Sequence, residues 1–194
     1  MNPRIILIAI SSLLALISPV IYAHSILRGE TRPHRTTRFI LLLITLLSTA
    51  SLIAAHDTVA VWLAGVSAIQ AIFIFYLSIK HGMGGWSKAD IACLVIALIG
   101  IIVWQTTSNP VLGLYFSILA DFTGMIPAII KTYRLPHTEN AWFFGFDTVS
   151  GLLTTLAVTA FVAQQVAYPI YIMLMNGAMV LLIKGRGLQK NSRG

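Results

Sequence analysis

The sequence predicts an all-α integral membrane protein with seven transmembrane helices. Of its 194 residues, 57% are hydrophobic and only 10% are charged, and the mean hydropathy is +0.86. A soluble domain of this length carries far more charge. Seven spans of about 20 residues each use about 140 residues and leave only short connections. No independent soluble domain fits in the remainder.

The spans follow one another as apolar segments separated by short polar connections. Each is close to the roughly 20 residues that a helix needs to cross a bilayer. The fourth is the shortest in its strictly apolar part. The predicted spans are 5–26, 39–55, 58–79, 89–105, 111–133, 141–162 and 167–183.

Basic residues predict the orientation of these spans. Twelve of the thirteen Lys and Arg residues follow spans 1, 3, 5 and 7, and the other side of the membrane carries only Arg4. Positively charged connections stay in the cytoplasm during insertion. We therefore expect the amino terminus outside and the carboxyl terminus in the cytoplasm, in a plasma or inner membrane.

The net charge of +7 does not indicate nucleic-acid binding, because the basic residues are spread over four short connections. We expect anionic lipid headgroups as their neighbours and no nucleic acid. Cys93 is the single cysteine, and no two histidines have metal-ligand spacing on one helix. We therefore expect no metal and no cofactor. The sequence leaves open whether the chain forms a homo-oligomer.

The first three spans resemble the last three at an offset of about 106 residues. Gln70 in span 3 corresponds to Asn176 in span 7, and residues 46–49 (Leu-Leu-Ser-Thr) correspond to residues 152–155 (Leu-Leu-Thr-Thr). Two three-helix units joined by a single helix have the same orientation, which makes a parallel repeat. The predicted parts are a first bundle 1–80, a linker helix 81–108, a second bundle 109–185 and a basic cytoplasmic tail 186–194.

A motif at the end of span 5 carries a family resemblance. It reads Pro127-Ala-Ile-Ile-Lys131-Thr-Tyr133-Arg134-Leu-Pro136-His-Thr-Glu139, and span 1 has a matching proline, Pro19, 108 positions before Pro127. This motif and the 3+1+3 order of helices resemble the PQ-loop superfamily, which includes the SWEET sugar transporters. The glutamine of the family signature is absent, since Val20 and Ala128 follow the two prolines.

The resemblance implies a transporter that opens alternately to each side, with Pro19 and Pro127 as hinges. A proline leaves a backbone carbonyl unpaired and weakens the helix locally. A simple kink is the alternative, because neighbouring membrane helices can satisfy the freed group. In the turn after span 5, polar residues are expected to form a gate or a helix cap: Lys131, Tyr133, Arg134 and Glu139.

The resemblance also implies that Gln70 and Asn176 line a central pocket, because asparagines hold similar places in the sugar-transporting branch. Carboxamides offer both donors and an acceptor without charge, which suits a solute with hydroxyl or amide groups. The alternative is that both side chains only hydrogen-bond neighbouring helices.

Asp121 is the most informative single residue of the sequence. It lies about 18 Å from the cytoplasmic end of span 5, close to the membrane midplane. An ionisable group there costs at least about 2.5 kcal/mol, so it should face the bundle interior or a wet cavity. It could couple protons or bind a cationic group; the alternative is a protonated carboxyl bonded to a Ser or Tyr. Asp147 lies about two turns into span 6, where a helix amino terminus favours an anion, and it could also reach the pocket.

These observations lead to a transporter, either a facilitator or a proton-coupled carrier, of a small polar solute. Gln70, Asn176, Asp121 and Asp147 are its expected binding residues. One alternative is a receptor or sorting module of the same fold that does not transport. The other is an intramembrane enzyme acting on lipids with Asp121 and Asp147, which we rank last because the two carboxyls differ in depth. We therefore expect no enzymatic activity.

Overall fold

A computed structural model describes residues 3–31, 33, 35–82, 88–134, 136 and 139–191 of the chain. Side chains are described for these residues except 89, 90, 127, 131 and 186–191. Within this part, the chain forms seven α-helices and no strand. The helices are α1 (Pro3–Leu27), α2 (Arg35–Ala54), α3 (Ala60–His81), α4 (Lys88–Thr107), α5 (Pro110–Arg134), α6 (Ala141–Ala157) and α7 (Ala163–Asn191).

Five of these helices, α1, α2, α3, α5 and α7, are long and apolar enough to cross a membrane. The apolar part of α4, Ile91–Thr107, and the 17 residues of α6 are shorter. Large apolar side chains are exposed on the outside of the bundle, for example Leu13, Phe161 and Leu181. Lipid tails accept such a surface, whereas water does not. The chain is an all-α, multi-pass integral membrane protein, as its composition predicts.

The last two helices differ from the predicted spans. α6 ends at Ala157 rather than at 162, and α7 begins at Ala163 rather than at 167. The predicted connection between spans 6 and 7 contained Gln164 and Gln165, but these polar residues lie in the first turn of α7. Gln165 Oε1 accepts hydrogen bonds from Thr159 Oγ1 at 2.8 Å and from the backbone N–H of Ala160 at 2.9 Å, and so holds the connection 158–162. α7 also continues to Asn191, into the segment predicted as a tail.

The predicted hinge prolines lie inside continuous helices. α1 is helical through Pro19, and α5 is helical through Pro127. Because a proline has no N–H, the carbonyl of Ala15 loses its helical partner at Pro19. A third proline, Pro169, lies inside α7 and is buried. The hinge role stays a prediction.

Six helices form a ring of contacts in the order α1, α3, α2, α5, α7, α6 and back to α1. α4 lies outside this ring, against α5 and α2. We call the end of the bundle where α1, α3, α5 and α7 finish the basic end. A buried apolar cluster, the Leu63 cluster, packs the opposite end, where α2 finishes and α3 and α5 begin: Ala15, Leu52, Ala60, Leu63, Ala64, Leu114 and Tyr168.

Side-chain caps hold the short connections at this opposite end. Asp57 Oδ1 accepts hydrogen bonds from the backbone N–H groups of Val59 at 2.8 Å and Ala60 at 2.7 Å, where α3 begins. Asn109 Oδ1 accepts from the N–H of Val111 at 3.1 Å, where α5 begins. The first turn of a helix leaves these N–H groups without backbone partners. The caps therefore allow helices to reverse within a few residues.

Candidate functional site

A cavity of about 450 Å³ lies inside the ring of six helices. Its described lining comes from all six, and α4 contributes no residue to it. Pro33 and Glu139, from the connections at the basic end, form its rim, and it extends inward to Ser48 and Ser117. Tyr168 of the Leu63 cluster also belongs to the lining, so this buried cluster lies at the inner end of the cavity. The cavity therefore has access from the basic end of the bundle.

The four predicted binding residues all line this one cavity. Gln70 comes from α3, Asp121 from α5, Asp147 from α6 and Asn176 from α7. Gln70 and Asp147 are each only 9% exposed. Packing of the helices thus collects four polar side chains that the sequence distributes over more than a hundred residues.

Asp147 is held by a network that joins three helices. Ser18 Oγ of α1 donates a hydrogen bond to Asp147 Oδ1 at 2.8 Å. Gln70 Nε2 of α3 donates to Ser18 Oγ at 3.0 Å and lies 3.4 Å from Asp147 Oδ2. Hydrogen bonds to a carboxylate are among the stronger ones in proteins. Ser18 was not predicted as a site residue, although it directly precedes Pro19 in the predicted hinge.

Asp121 has a different partner. The hydroxyl of Tyr171 in α7 donates a hydrogen bond to Asp121 Oδ2. Among the described side chains, no basic group lies within ion-pair distance of Asp121 or Asp147. No signal in the sequence singled out Tyr171, because aromatic residues are common in apolar helices. The two carboxyls share no hydrogen-bond partner in this part of the chain, and no three His, Cys, Asp or Glu side chains within it could together hold a metal.

The two carboxamides direct their amide nitrogens towards the protein. Asn176 Nδ2 donates to the carbonyl of Ile172 in its own helix at 2.8 Å. Gln70 Nε2 is used by Ser18 and Asp147. Within the described part of the chain, the side-chain carbonyl oxygens of Gln70 and Asn176 have no donor. Both residues thus bring a free acceptor to the cavity lining.

Aromatic residues and one arginine line the cavity near the basic end. Arg38 Nη2 donates to Tyr22 Oη at 2.6 Å, and the guanidinium lies 4.8 Å from the centre of the Tyr22 ring. Tyr22 packs on Phe143 with ring centres 4.7 Å apart, and Phe143 packs on Phe144 at 4.9 Å. The predicted span 39–55 leaves Arg38 in the connection before it. That boundary was wrong, because α2 already begins at Arg35 and includes Arg38 in its first turn.

The turn after α5 contributes Glu139 to the described lining of the cavity. Tyr133 and Arg134 have exposed side chains and are absent from that lining. Asn140 is the residue that caps α6, since its Oδ1 accepts from the backbone N–H of Trp142 at 2.9 Å. Two predicted residues have side chains outside the described part of the chain: Pro127 and Lys131.

Two pairs of buried hydroxyls each join two helices that are neighbours in the ring. Ser11 of α1 and Thr154 of α6 share a hydrogen bond of 2.6 Å, and Ser11 Oγ also donates to the carbonyl of Ser150 at 2.9 Å. Ser48 of α2 and Ser117 of α5 share one of 2.7 Å. Ser48 and Ser117 belong to the inner end of the cavity lining, whereas Ser11 and Thr154 are not part of that lining.

No family model matches the chain, and neither a curated protein nor a solved structure matches it.

Proposed function

We propose that the chain transports a small polar solute across the membrane, by alternating access between two three-helix units. The first unit is α1 to α3, the second is α5 to α7, and α4 links them. The observation that carries the proposal is the cavity itself. It is lined by both units, and each unit supplies a carboxamide and further polar groups to it.

The hydroxyl pairs support a repeat of the 3+1+3, PQ-loop type. Ser117 follows Ser11 by 106 positions, and Thr154 follows Ser48 by the same 106 positions. In a repeat with this offset, the pair between α1 and α6 is therefore equivalent to the pair between α5 and α2. Asn176 follows Gln70 by 106 positions as well. A parallel repeat around an axis along the membrane normal produces this kind of exchange.

The helix contacts support the same arrangement. In the first unit α3 packs between α1 and α2, and in the second unit α7 packs between α5 and α6. The units meet where α1 contacts α6 and where α2 contacts α5. We call these two contacts the seams. The cavity lies between the seams, so relative rocking of the units would change which end of it is open.

The cavity reaches the basic end and is closed at the opposite end by the hydroxyl pairs and the Leu63 cluster. With basic connections in the cytoplasm, this arrangement corresponds to a state open to the cytoplasm. In the proposed cycle the seams part near the opposite end, with bending at Pro19 and Pro127, and Asp121 carries a proton or contacts the solute.

Two-sided accessibility tests this proposal without knowledge of the solute. Ser67 lines the cavity, so we would introduce Ser67→Cys into a Cys93→Ser background and treat sealed vesicles with a membrane-impermeant maleimide from each side. Rocking predicts labelling from both sides. Thr106→Cys, at an exposed position near the opposite end, is the matched control and should react from one side. A receptor with a fixed cavity would label at Ser67→Cys from the basic side alone, which would contradict transport.

Flux provides the second measurement. Reconstituted vesicles are given labelled glucose, glycine or ethanolamine, and internal pH is recorded during uptake. Proton coupling predicts internal acidification that Asp121→Asn abolishes. Uptake and acidification that are unchanged in Asp121→Asn would remove the coupling role. Tight binding of a solute without flux would favour the receptor.

A further inference from the structure

The charges that line the cavity are opposite in sign to the charge of the chain. The chain has thirteen basic and six acidic residues. Two of the acidic ones, Asp121 and Asp147, lie deep in the described lining, whose one basic residue is Arg38. Arg38 is engaged by the hydroxyl and the ring of Tyr22. A chain rich in basic residues thus surrounds a cavity that favours a cationic ligand.

The hydrogen bonds in the deep part of the cavity also favour a cationic ligand. The hydroxyl of Ser18 donates to Asp147, that of Tyr171 donates to Asp121, and the Gln70 amide donates to Ser18. The Asn176 amide donates to a backbone carbonyl. Each of these groups thus uses at least one N–H or O–H within the protein, and the second N–H of Asn176 has no acceptor in the described structure. The carboxylate and carbonyl oxygens retain more capacity than the donors.

Gln70 gives the clearest example of a free acceptor. Its side chain is 9% exposed and lines the cavity, and its carbonyl oxygen has no donor among the described groups. Carboxylate oxygens can each accept more than one hydrogen bond, so Asp147 and Asp121 also retain capacity. A ligand that fits this lining must bring N–H or O–H donors and, preferably, positive charge. A sugar, whose many hydroxyl oxygens need donors from the protein, fits less well.

Aromatic rings supply the remaining part of the site. Tyr22, Phe143 and Phe144, called here the aromatic set, pack against one another at the edge of the same cavity, with one tilted and one edge-to-face contact. Aromatic faces attract cations and also pack against apolar groups. A volume of about 450 Å³ accommodates a solute with one ring and a short polar arm.

We propose that the cavity selects a small organic ammonium ion, a solute with a protonated primary or secondary amine on an apolar body, over neutral sugars and over anions. The ammonium N–H groups bind the Asp147 carboxylate and the carbonyl oxygens of Gln70 and Asn176. The apolar body lies against the aromatic set. This assignment rests on the proposed function in taking the same cavity as the solute site.

Matched probes test the selectivity on the purified full-length protein in micelles. Benzylamine is protonated at pH 7, benzyl alcohol is its neutral counterpart, and benzoate and glucose represent an anion and a sugar. Binding is measured by titration calorimetry, with the heat of protein-free micelles subtracted. Benzylamine should bind at least about tenfold more tightly than benzyl alcohol, because one charge-assisted hydrogen bond contributes about that much affinity. Benzoate and glucose should give no saturable binding. Equal affinities for benzylamine and benzyl alcohol would overturn the proposal.

Variants of Asp121 and Asp147 test whether these carboxyls cause the preference for the amine. Asp147→Asn should weaken benzylamine about tenfold and leave benzyl alcohol unchanged, while Asp147→Glu should retain the preference for the amine. Asp57→Asn changes a buried carboxyl outside the cavity and is the matched control, for which no change is expected. An unaltered preference in the double variant Asp121→Asn/Asp147→Asn would also overturn the proposal. If that variant does not fold, the probe comparison on the native chain still decides.

The outcomes separate this inference from the proposed function. Amine-selective binding with labelling of Ser67→Cys from one side alone would retain the ammonium site and remove transport. Labelling from both sides with no preference for benzylamine would retain transport and remove the ammonium site.

Discussion

Helix α6 meets its two neighbours through different kinds of contact. Towards α1 it presents polar groups: Asp147 accepts a hydrogen bond from Ser18, and Thr154 shares one with Ser11. Such bonds can be exchanged for bonds to water or to a solute when the helices move apart. This face of α6 is therefore suited to a contact that opens and closes.

Towards α7, the same helix presents Gly151. A Cβ atom at Gly151 would lie 2.8 Å from the carbonyl oxygen of Pro169 and 2.8 Å from the backbone nitrogen of Met173. The two backbones can approach this closely because glycine has no side chain. Close packing of this kind is lost when the helices separate, and no hydrogen bond to water or to a solute takes its place. In the proposed transport cycle, α6 would therefore move with α7 and part from α1.

The largest expected effect comes from a disulfide that holds the polar face of α6 against α1. Ser11→Cys/Thr154→Cys, combined with Ser67→Cys and Cys93→Ser, should form a disulfide across α1 and α6 on oxidation, because the two hydroxyl oxygens are only 2.6 Å apart. Labelling of Ser67→Cys from the opposite end should then fall to background and return after reduction.

Ser48→Cys/Ser117→Cys fixes the other seam and is the matched comparison, with the same expected result. Labelling from both sides in both oxidised proteins would mean that access to Ser67→Cys requires the opening of neither seam by itself, and the contrast between the two faces of α6 would lose its functional meaning.

Gly151→Ala tests the face towards α7. The added methyl group meets backbone atoms that have no rotamer to change, so we expect a loss of about 2 kcal/mol in the free energy of unfolding. Gly145→Ala, in the same helix, has no atom within 4 Å of the new Cβ and should be neutral or stabilising by up to about 1 kcal/mol. Reversible unfolding in mixed detergent micelles measures both. Equal effects would show that α6 and α7 do not pack backbone to backbone.

A smaller effect is expected from Ser18→Ala, which removes the link between α1, Gln70 and Asp147. A buried hydrogen bond of this kind contributes about 1 kcal/mol to the free energy of unfolding. Ser12→Ala changes a serine of the same helix whose side chain makes no hydrogen bond within the described structure, and it should have little effect. If both variants lose the same stability in the same unfolding assay, the polar face of α6 does not depend on Ser18.

Much of the site was predictable because its residues are anomalous in their local surroundings. Asp121 and Asp147 are carboxyls in apolar helices, and Gln70 and Asn176 repeat at a constant offset, so each could be recognised without coordinates. Their partners could not be recognised in this way. A serine such as Ser18 can hydrogen-bond a carbonyl of its own helix or a group on another helix, so its role depends on which helix lies opposite.

The sequence by itself determined that the chain is helical and lies in a membrane. Each helix closes its own backbone hydrogen bonds within about four residues, and the preference of apolar side chains for lipid is a sum over nearby positions, so both properties are local. Only the tertiary structure decided that α1 lies against α6 and α2 against α5, and therefore that Gln70, Asp121, Asp147 and Asn176 share one cavity. The physical reason is that lipid and protein are almost equally apolar, so the neighbours of a helix are selected by shape and by a few long-range hydrogen bonds, which no local pattern records.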